Sequence, residues 1–285
     1  MEKDCSPLLA HALAIAKKDD RVRAVVLNGS RVNPNVVPDD FQDVDLAMYV
    51  TDFPTYNVAY DRFTRYGEVL IMQTKAEQSF DPDEFNGDIA LIQFVSGERL
   101  DVSFWPVETF EASVESDSLS AVLIDKDARI THRVVPSEAS YHVTPPTEKL
   151  FQSCVKQFAF VSLYVAKGVA RKHWEYAIEH VRIMRRCLTA MIDWSLTKDG
   201  SFSTGKNHAK YEKLLDAKTY AAYVDTFPRA TKASIEHAFQ TMVNLFETYA
   251  RSVAEHHGFT HDSEDLTRIT HIALGWLCAG NNLTR

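Results

Sequence analysis

Asp43 and Asp45 open an apolar run, Val44-Asp45-Leu46-Ala47-Met48-Tyr49-Val50, and upstream the apolar Val25-Val26-Leu27-Asn28 ends in Gly29-Ser30. Side chains alternate along a strand, so Asp43 and Asp45 project to one side while Val44 and Leu46 face a core. Two carboxylates held that close repel unless a divalent cation neutralises them, and hard oxygen donors suit Mg²⁺. Gly29 lets backbone approach a phosphate, and Ser30 adds a hydroxyl donor. A phosphate cradle beside metal-binding carboxylates is the equipment of nucleotidyl transfer.

A third carboxylate lies further along. In Arg99–Trp105 the same alternation puts Arg99, Asp101, Ser103 and Trp105 on one face and Leu100, Val102 and Phe104 on the other. If this strand neighbours the one behind Asp43 and Asp45, three carboxylates converge, a set able to hold two Mg²⁺ ions on a nucleotide's phosphates. Asp101 is also suited to take the proton of an attacking hydroxyl. Ser203-Thr204-Gly205-Lys206, leading into Lys210-Tyr211, is a second phosphate-binding candidate, since lysines beside a helix N-terminus attract β and γ phosphates. A solvated loop carrying surface lysines is the alternative reading of that stretch. The chain has no Gly-x-x-x-x-Gly-Lys-Ser/Thr, no His-Glu-x-x-His and no Gly-x-Ser-x-Gly, which gives P-loop NTPases, zinc hydrolases and serine hydrolases no support. His256, His257 and His261 fall near a helix end, where exposed histidines are common.

The elements that must position these groups follow from periodicity. Strands are expected over Arg21–Asn28, Val44–Val50, Gly67–Gln73 and Ala121–Asp125, with a hairpin of Asp88–Val95 and Arg99–Trp105 turning at Ser96-Gly97. Leu8, Leu9, Ala12, Leu13 and Ala16 share a helical face, and Tyr56–Tyr66 has helical character. Pro136 and Pro145-Pro146 mark a crossing into a second, helical half. There Trp174, Ala177, Ile178, Val181, Met184, Leu188, Met191 and Ile192 recur at helical spacing as a core stripe, and Thr231–Ala254 is similarly periodic. The expected architecture is α+β, with residues 1–140 and 141–285 as domains.

Bulk properties limit the partners. The 285 residues carry a formal charge of −8, which disfavours nucleic acid, because that partner demands a basic surface. A small nucleotide or a cationic acceptor fits better. The four cysteines show neither metal-ligand spacing nor a disulfide framework and read as buried thiols of a reducing compartment. The first residues lack the cationic n-region of a signal peptide, and no apolar stretch spans a bilayer, so a cytoplasmic protein without a membrane partner is expected.

Gly29-Ser30-Arg31-Val32-Asn33-Pro34 followed by Asp40-Phe41-Gln42-Asp43-Val44-Asp45-Leu46 resembles the signature of the aminoglycoside 6-adenylyltransferases, the streptomycin adenylyltransferase family. Ile71-Met72-Gln73, Gly97-Glu98-Arg99-Leu100-Asp101, Leu123-Ile124-Asp125-Lys126-Asp127, Tyr164-Val165-Ala166-Lys167-Gly168 and Gly205-Lys206 with Lys210-Tyr211 continue the likeness in order. The resemblance implies a polymerase-β-like nucleotidyltransferase domain followed by a helical-bundle domain that contributes to ATP and acceptor binding. It implies Mg²⁺-dependent transfer of AMP from ATP to a drug hydroxyl, with Asp43 and Asp45 as metal ligands and Asp101 as third carboxylate and base. Gly29, Ser30, Arg31, Lys206 and Lys210 would contact the triphosphate. Two stretches depart from the family's pattern. Lys156-Gln157-Phe158-Ala159-Phe160 stands for an expected Asn-Glu-Phe-Trp-Trp, and Val169-Ala170-Arg171-Lys172-His173 for Leu-Trp-Arg-Asp-Glu. Carboxylates and aromatic faces hold polycations, so these departures bear on the acceptor. A lincosamide or metabolite acceptor, and a nucleotide-binding protein without turnover, are the competing expectations.

Overall fold

The structure, a computed structural model, describes residues 6–56, 58–78, 80, 87–197 and 202–279. Its contacts divide the chain into two compact units, Met1–Ser140 and Tyr141–Arg285.

In the first unit the apolar runs form β1 (Val22–Asn28), β2 (Val44–Val50), β3 (Val69–Thr74), β4 (Asp88–Phe94), β5 (Arg99–Pro106) and β6 (Ser120–Asp125). They make one sheet in the order β3-β4-β5-β2-β1-β6. The β2–β5 pair is parallel and the others are antiparallel. Burial explains which face is which. Val44, Leu46, Met48 and Val50 of β2 join Leu100, Val102 and Phe104 of β5 in the larger core, covered by Leu8, Leu9, Ala12 and Ala16 of α1 (Pro7–Lys18). Ser6 caps that helix by accepting from the Leu9 amide at 3.2 Å. The opposite face carries a smaller core of Ala24, Val26, Ala47 and Tyr49 under Phe110 and Val114 of α3 (Phe110–Ser116). The start of β2 and β5 on this second face is polar.

Tyr56–Tyr66 differs from its expected helical character. Among the described residues there, only α2 (Asp61–Thr64) is α-helical, and Tyr56 is extended at φ −67° and ψ 108°. Tyr56, Tyr60 and Phe63 recur at spacings that mimic a helix, but all three rings pack on Phe104, so the core contact sets the pattern.

The second unit is helical: α4 (Glu148–Ala170), α5 (Trp174–Leu196), α6 (Tyr211–Leu214), α7 (Ala217–Val224), α8 (Lys232–His257) and α9 (Ser263–Ala279). The α5 stripe is core, with Ala177, Val181, Met184, Leu188, Met191 and Ile192 buried against α4 and α8 residues such as Phe158 and Phe246. Those two rings stack 3.8 Å apart. Gly258, at φ 70°, ends α8 in the left-handed conformation that glycine adopts without strain. Two sequence expectations change here. Cys187 is buried and Cys154 half-buried, but Cys278 is exposed near the end of α9; Cys5 lies outside the described residues. His261 is no surface residue, because its side chain is 6% exposed and its Nε2 lies 3.2 Å from Glu247. Among the described residues no helix is long and apolar enough to cross a membrane.

Candidate active site

Register places the carboxylates. Residues Val44 to Val50 pair in parallel with Leu100 to Pro106, so Asp45 lies directly beside Asp101. Asp43, one residue ahead of β2, lies beside Arg99 by the same offset. On its other side β2 pairs with β1, which sets Asn28 beside Asp45 and brings the following Gly29 against the carboxylate. A Cβ built on Gly29 would stand 2.6 Å from Asp45 Oδ2, and the residue has φ +76°. Glycine is therefore required there twice, by backbone conformation and by space.

Arg99 is the cation of this strand pair. Its Nε and Nη2 donate to the two oxygens of Asp101 at 2.7 and 2.8 Å, a bidentate pair, and Nε lies 3.8 Å from Asp43 Oδ2. The Asp101 hydrogen bonds raise the Arg99 pKa above its ordinary value, with Asp43 and Asp45 adding to the effect. Sequence alternation puts Arg99 on the same face as Asp101, yet assigns it no role. Among the described residues no three acid, histidine or cysteine side chains gather closely enough to hold a metal ion. Both oxygens of Asp101 are taken up by Arg99, a fork of N–H donors two residues away on its own strand face.

Gly29 and Ser30 begin a 3₁₀ turn, Gly29–Val32. Arg31 braces the loop behind it: Nε donates to the Asp43 carbonyl and Nη2 to the Gln42 carbonyl, both at 2.8 Å. Buried Glu138 accepts from Asn33 and Asn35 at 2.9 and 2.8 Å and pins the rest of the loop. Sequence reasoning missed Glu138, which lies more than 100 positions away and has no local pattern.

Lys206 and Lys210 belong to the helical unit and to a different kind of scaffold. Buried Ser203 and Thr204 lead into Gly205 at φ 78°, then Asn207 and His208 at φ 52° and 61°. Left-handed non-glycine residues cost about 1–3 kcal/mol each and persist where surrounding contacts over-determine them. The Ser203 hydroxyl accepts from the Gly205 amide, and the Lys210 amide donates to the Thr204 carbonyl at 2.9 Å. The helical run expected after Lys210 is a single turn, α6, broken where Leu215 becomes extended and Asp216 caps α7. A helix that short has no appreciable dipole, so the anion affinity of this segment must come from its side chains. Beneath the loop, the fully buried Tyr211 donates to Asp193 Oδ1 of α5 at 2.6 Å. Burial, and then Asp193, push its hydroxyl well above the usual tyrosine range, which keeps it a donor. The His208 ring stacks on Tyr211 at 4.8 Å and its Nδ1 lies 3.5 Å from Asp193 Oδ2.

An α+β fold whose neighbouring strands carry registered aspartates beside a Gly-Ser turn has parts that nucleotidyl transfer can use. The streptomycin adenylyltransferase family matches residues 3–273. Three aminoglycoside 6-adenylyltransferases are similar along most of their length. That of Bacillus subtilis is 33% identical over 248 residues, 85% of this chain and 87% of that protein. That of Campylobacter jejuni is 32% identical over 85% of both, and that of Staphylococcus aureus 31% identical over 84% and 86%. A crystal structure of an aminoglycoside 6-adenyltransferase from Bacillus subtilis aligns over 94% of this chain and 98% of that one, at 27% identity and a TM-score of 0.46. The chain belongs to the streptomycin adenylyltransferase family, and it is an enzyme of the nucleotidyltransferase class.

Proposed function

We propose that the protein transfers AMP from ATP to a hydroxyl of an aminoglycoside of the streptomycin type, with Mg²⁺ and with release of pyrophosphate. The observation that carries this reading is the registered pair Asp45 and Asp101, with Gly29 pressed against Asp45. The donor chemistry fits Mg²⁺: Asp43, just ahead of β2, with Asp45 and Asp101 offers only hard carboxylate oxygens, and these would hold the ion, Asp101 in place of its bonds from Arg99. When bound, Mg²⁺ supplies charge neutralisation for the triphosphate and for the phosphoryl group in transit.

Each residue then has a task. Asp43 and Asp45 hold the metal, while Gly29 and Ser30 let the triphosphate approach backbone N–H groups. Lys206, with Lys210, supplies ammonium charge to the phosphates. The acceptor oxygen forms a bond to the α-phosphorus, the bond from that phosphorus to the bridging oxygen breaks, and pyrophosphate leaves. Asp101 accepts the hydroxyl proton. Arg31, whose donors reach the Gln42 and Asp43 carbonyls, supports the reaction by shaping the loop.

A neutral or weakly basic acceptor, such as a lincosamide, is the second reading, favoured by Lys156 and Lys172 in the stretches that depart from the family pattern. Incubation with Mg-ATP and a panel of aminoglycosides, lincosamides and metabolites separates the two. The expected result is a mass gain of one AMP on a streptomycin-like aminoglycoside, with stoichiometric pyrophosphate. Adenylylation of a lincosamide alone would favour the second reading. ATP binding without turnover on any acceptor would replace both with a nucleotide-binding role.

A further inference from the structure

A fully buried tyrosine hydroxyl is costly unless it is bonded, and the space that Tyr211 fills would suit phenylalanine if packing were its whole purpose. Its hydroxyl reaches Asp193 at 2.6 Å, with the Thr189 carbonyl at 3.1 Å, and both partners lie on α5, a rigid helix of 23 residues. Its ring carries His208, the last of the left-handed residues in the turn above. Lys206 is exposed and sits between Gly205 and Asn207, both at positive φ. The turn thus sets where its side chain leaves the backbone.

We propose that Asp193 and Tyr211 are positioning residues for ATP, holding the 203–210 turn through His208 so that Lys206 is aimed before the nucleotide arrives. The proposal rests on the reading above, in which Lys206 meets the triphosphate. An unclamped turn would relax its left-handed residues, and ATP would have to order the lysine on binding. Preorganisation removes that cost, so loss of the clamp appears as weaker ATP binding.

Tyr211→Phe, Asp193→Asn, His208→Ala and Lys206→Ala variants of the full chain test this. Calorimetric titration with Mg-ATP, without acceptor, should show affinity about 3–10-fold lower in Tyr211→Phe and Asp193→Asn, with KM for ATP rising in step and kcat and the acceptor KM nearly unchanged. Trypsin should cut after Lys206 faster in Tyr211→Phe than in wild type. His208→Ala gives a third view of the clamp if Asp193→Asn fails to fold. If Lys206→Ala weakens ATP binding while Tyr211→Phe and His208→Ala do not, the clamp is wrong and the Lys206 assignment stands. If Lys206→Ala leaves ATP affinity unchanged, that assignment falls and the clamp falls with it. Equal losses for ATP and acceptor would make Tyr211 a general fold anchor and also overturn the proposal.

Discussion

The two units hold their charged groups by opposite means. In the sheet, Asp45 and Asp101 are placed by hydrogen-bonded register between β2 and β5, and neither side chain needs unusual backbone. In the helical unit, Lys206 sits in a turn with left-handed Gly205, Asn207 and His208, held from below by side chains. Strand register fixes an atom to within the tolerance that bond-making chemistry demands. A clamped turn suits a long ammonium side chain that has only to meet diffuse phosphate charge. Substitutions in the sheet should therefore lower kcat, and those in the turn should raise KM for ATP.

Asp45→Asn tests the first half of that contrast most severely. It removes a charge from the centre of the registered pair while keeping shape, and several kcal/mol of charge stabilisation are at stake. At about 1.4 kcal/mol per tenfold, turnover should fall about a thousandfold or more, with circular dichroism and Tm near wild type. Turnover within tenfold of wild type would mean that the carboxylate is not at the reacting centre.

Gly29→Ala should come next. The new Cβ would stand 2.6 Å from Asp45 Oδ2 at a φ of +76°, so either the turn opens or the carboxylate moves. A displacement near 1 Å costs about a hundredfold in rate. Single-turnover rates should fall on that scale, while Tm falls by only a few degrees. A normal rate would show that the turn relaxes freely, and the sheet would lose its claim to be the rigid partner.

Much of the sheet unit is legible from sequence because its signals are local and periodic. The alternation in Arg99–Trp105 marks Asp101 and Arg99 as facing one way, and the observed burial follows it residue by residue. What alternation cannot supply is which strands adjoin, and the parallel β2–β5 pairing is a tertiary fact. Arg99 was visible but unassigned for the same reason, since its meeting with Asp43 crosses strands. Glu138 and the Asp193–Tyr211 bond were invisible, because they join positions far apart in sequence with no repeating spacing. The long helices read well from their stripes. The one-turn α2 and α6 did not: aromatic packing at Tyr56, Tyr60 and Phe63 imitates helical spacing, and extended Leu215 before the Asp216 cap cuts α6 to one turn.

Arg99→Gln asks whether the sheet's carboxylates rely on their own cation. It removes the fork that satisfies both oxygens of Asp101 and the charge 3.8 Å from Asp43. Without added metal the variant should melt a few degrees lower, because about 1 kcal/mol corresponds to roughly 2–4 °C in a chain approaching this size. Mn²⁺ or Mg²⁺ titrated onto the free protein should bind several-fold more tightly, since carboxylates less countered by protein attract a cation more strongly. Unchanged metal affinity would mean that Arg99 and the metal do not share Asp101.

The smallest effect, and the sharpest for the comparison, is expected from Arg31→Lys. Arg31 has two different jobs open to it: contact with triphosphate charge, or bracing of the loop through the Gln42 and Asp43 carbonyls. Lysine preserves the charge but not the fork, because one compact ammonium cannot reproduce two donors set by a planar guanidinium. If charge toward ATP is what counts, Arg31→Lys should bind ATP almost normally and turn over almost normally. If bracing counts, the Asp43 backbone loosens, and kcat should fall about three- to tenfold, in line with the loss of about 1 kcal/mol of hydrogen bonding, while KM for ATP stays within about twofold. The second pattern is expected from the geometry, because both carbonyls lie at 2.8 Å from the guanidinium. It would place Arg31 with the sheet's rigid machinery despite its position in a loop. Near-normal ATP binding and turnover would instead make Arg31 a counterpart of Lys206, and the division between the two units would then follow the type of local scaffold more than the domain that carries it.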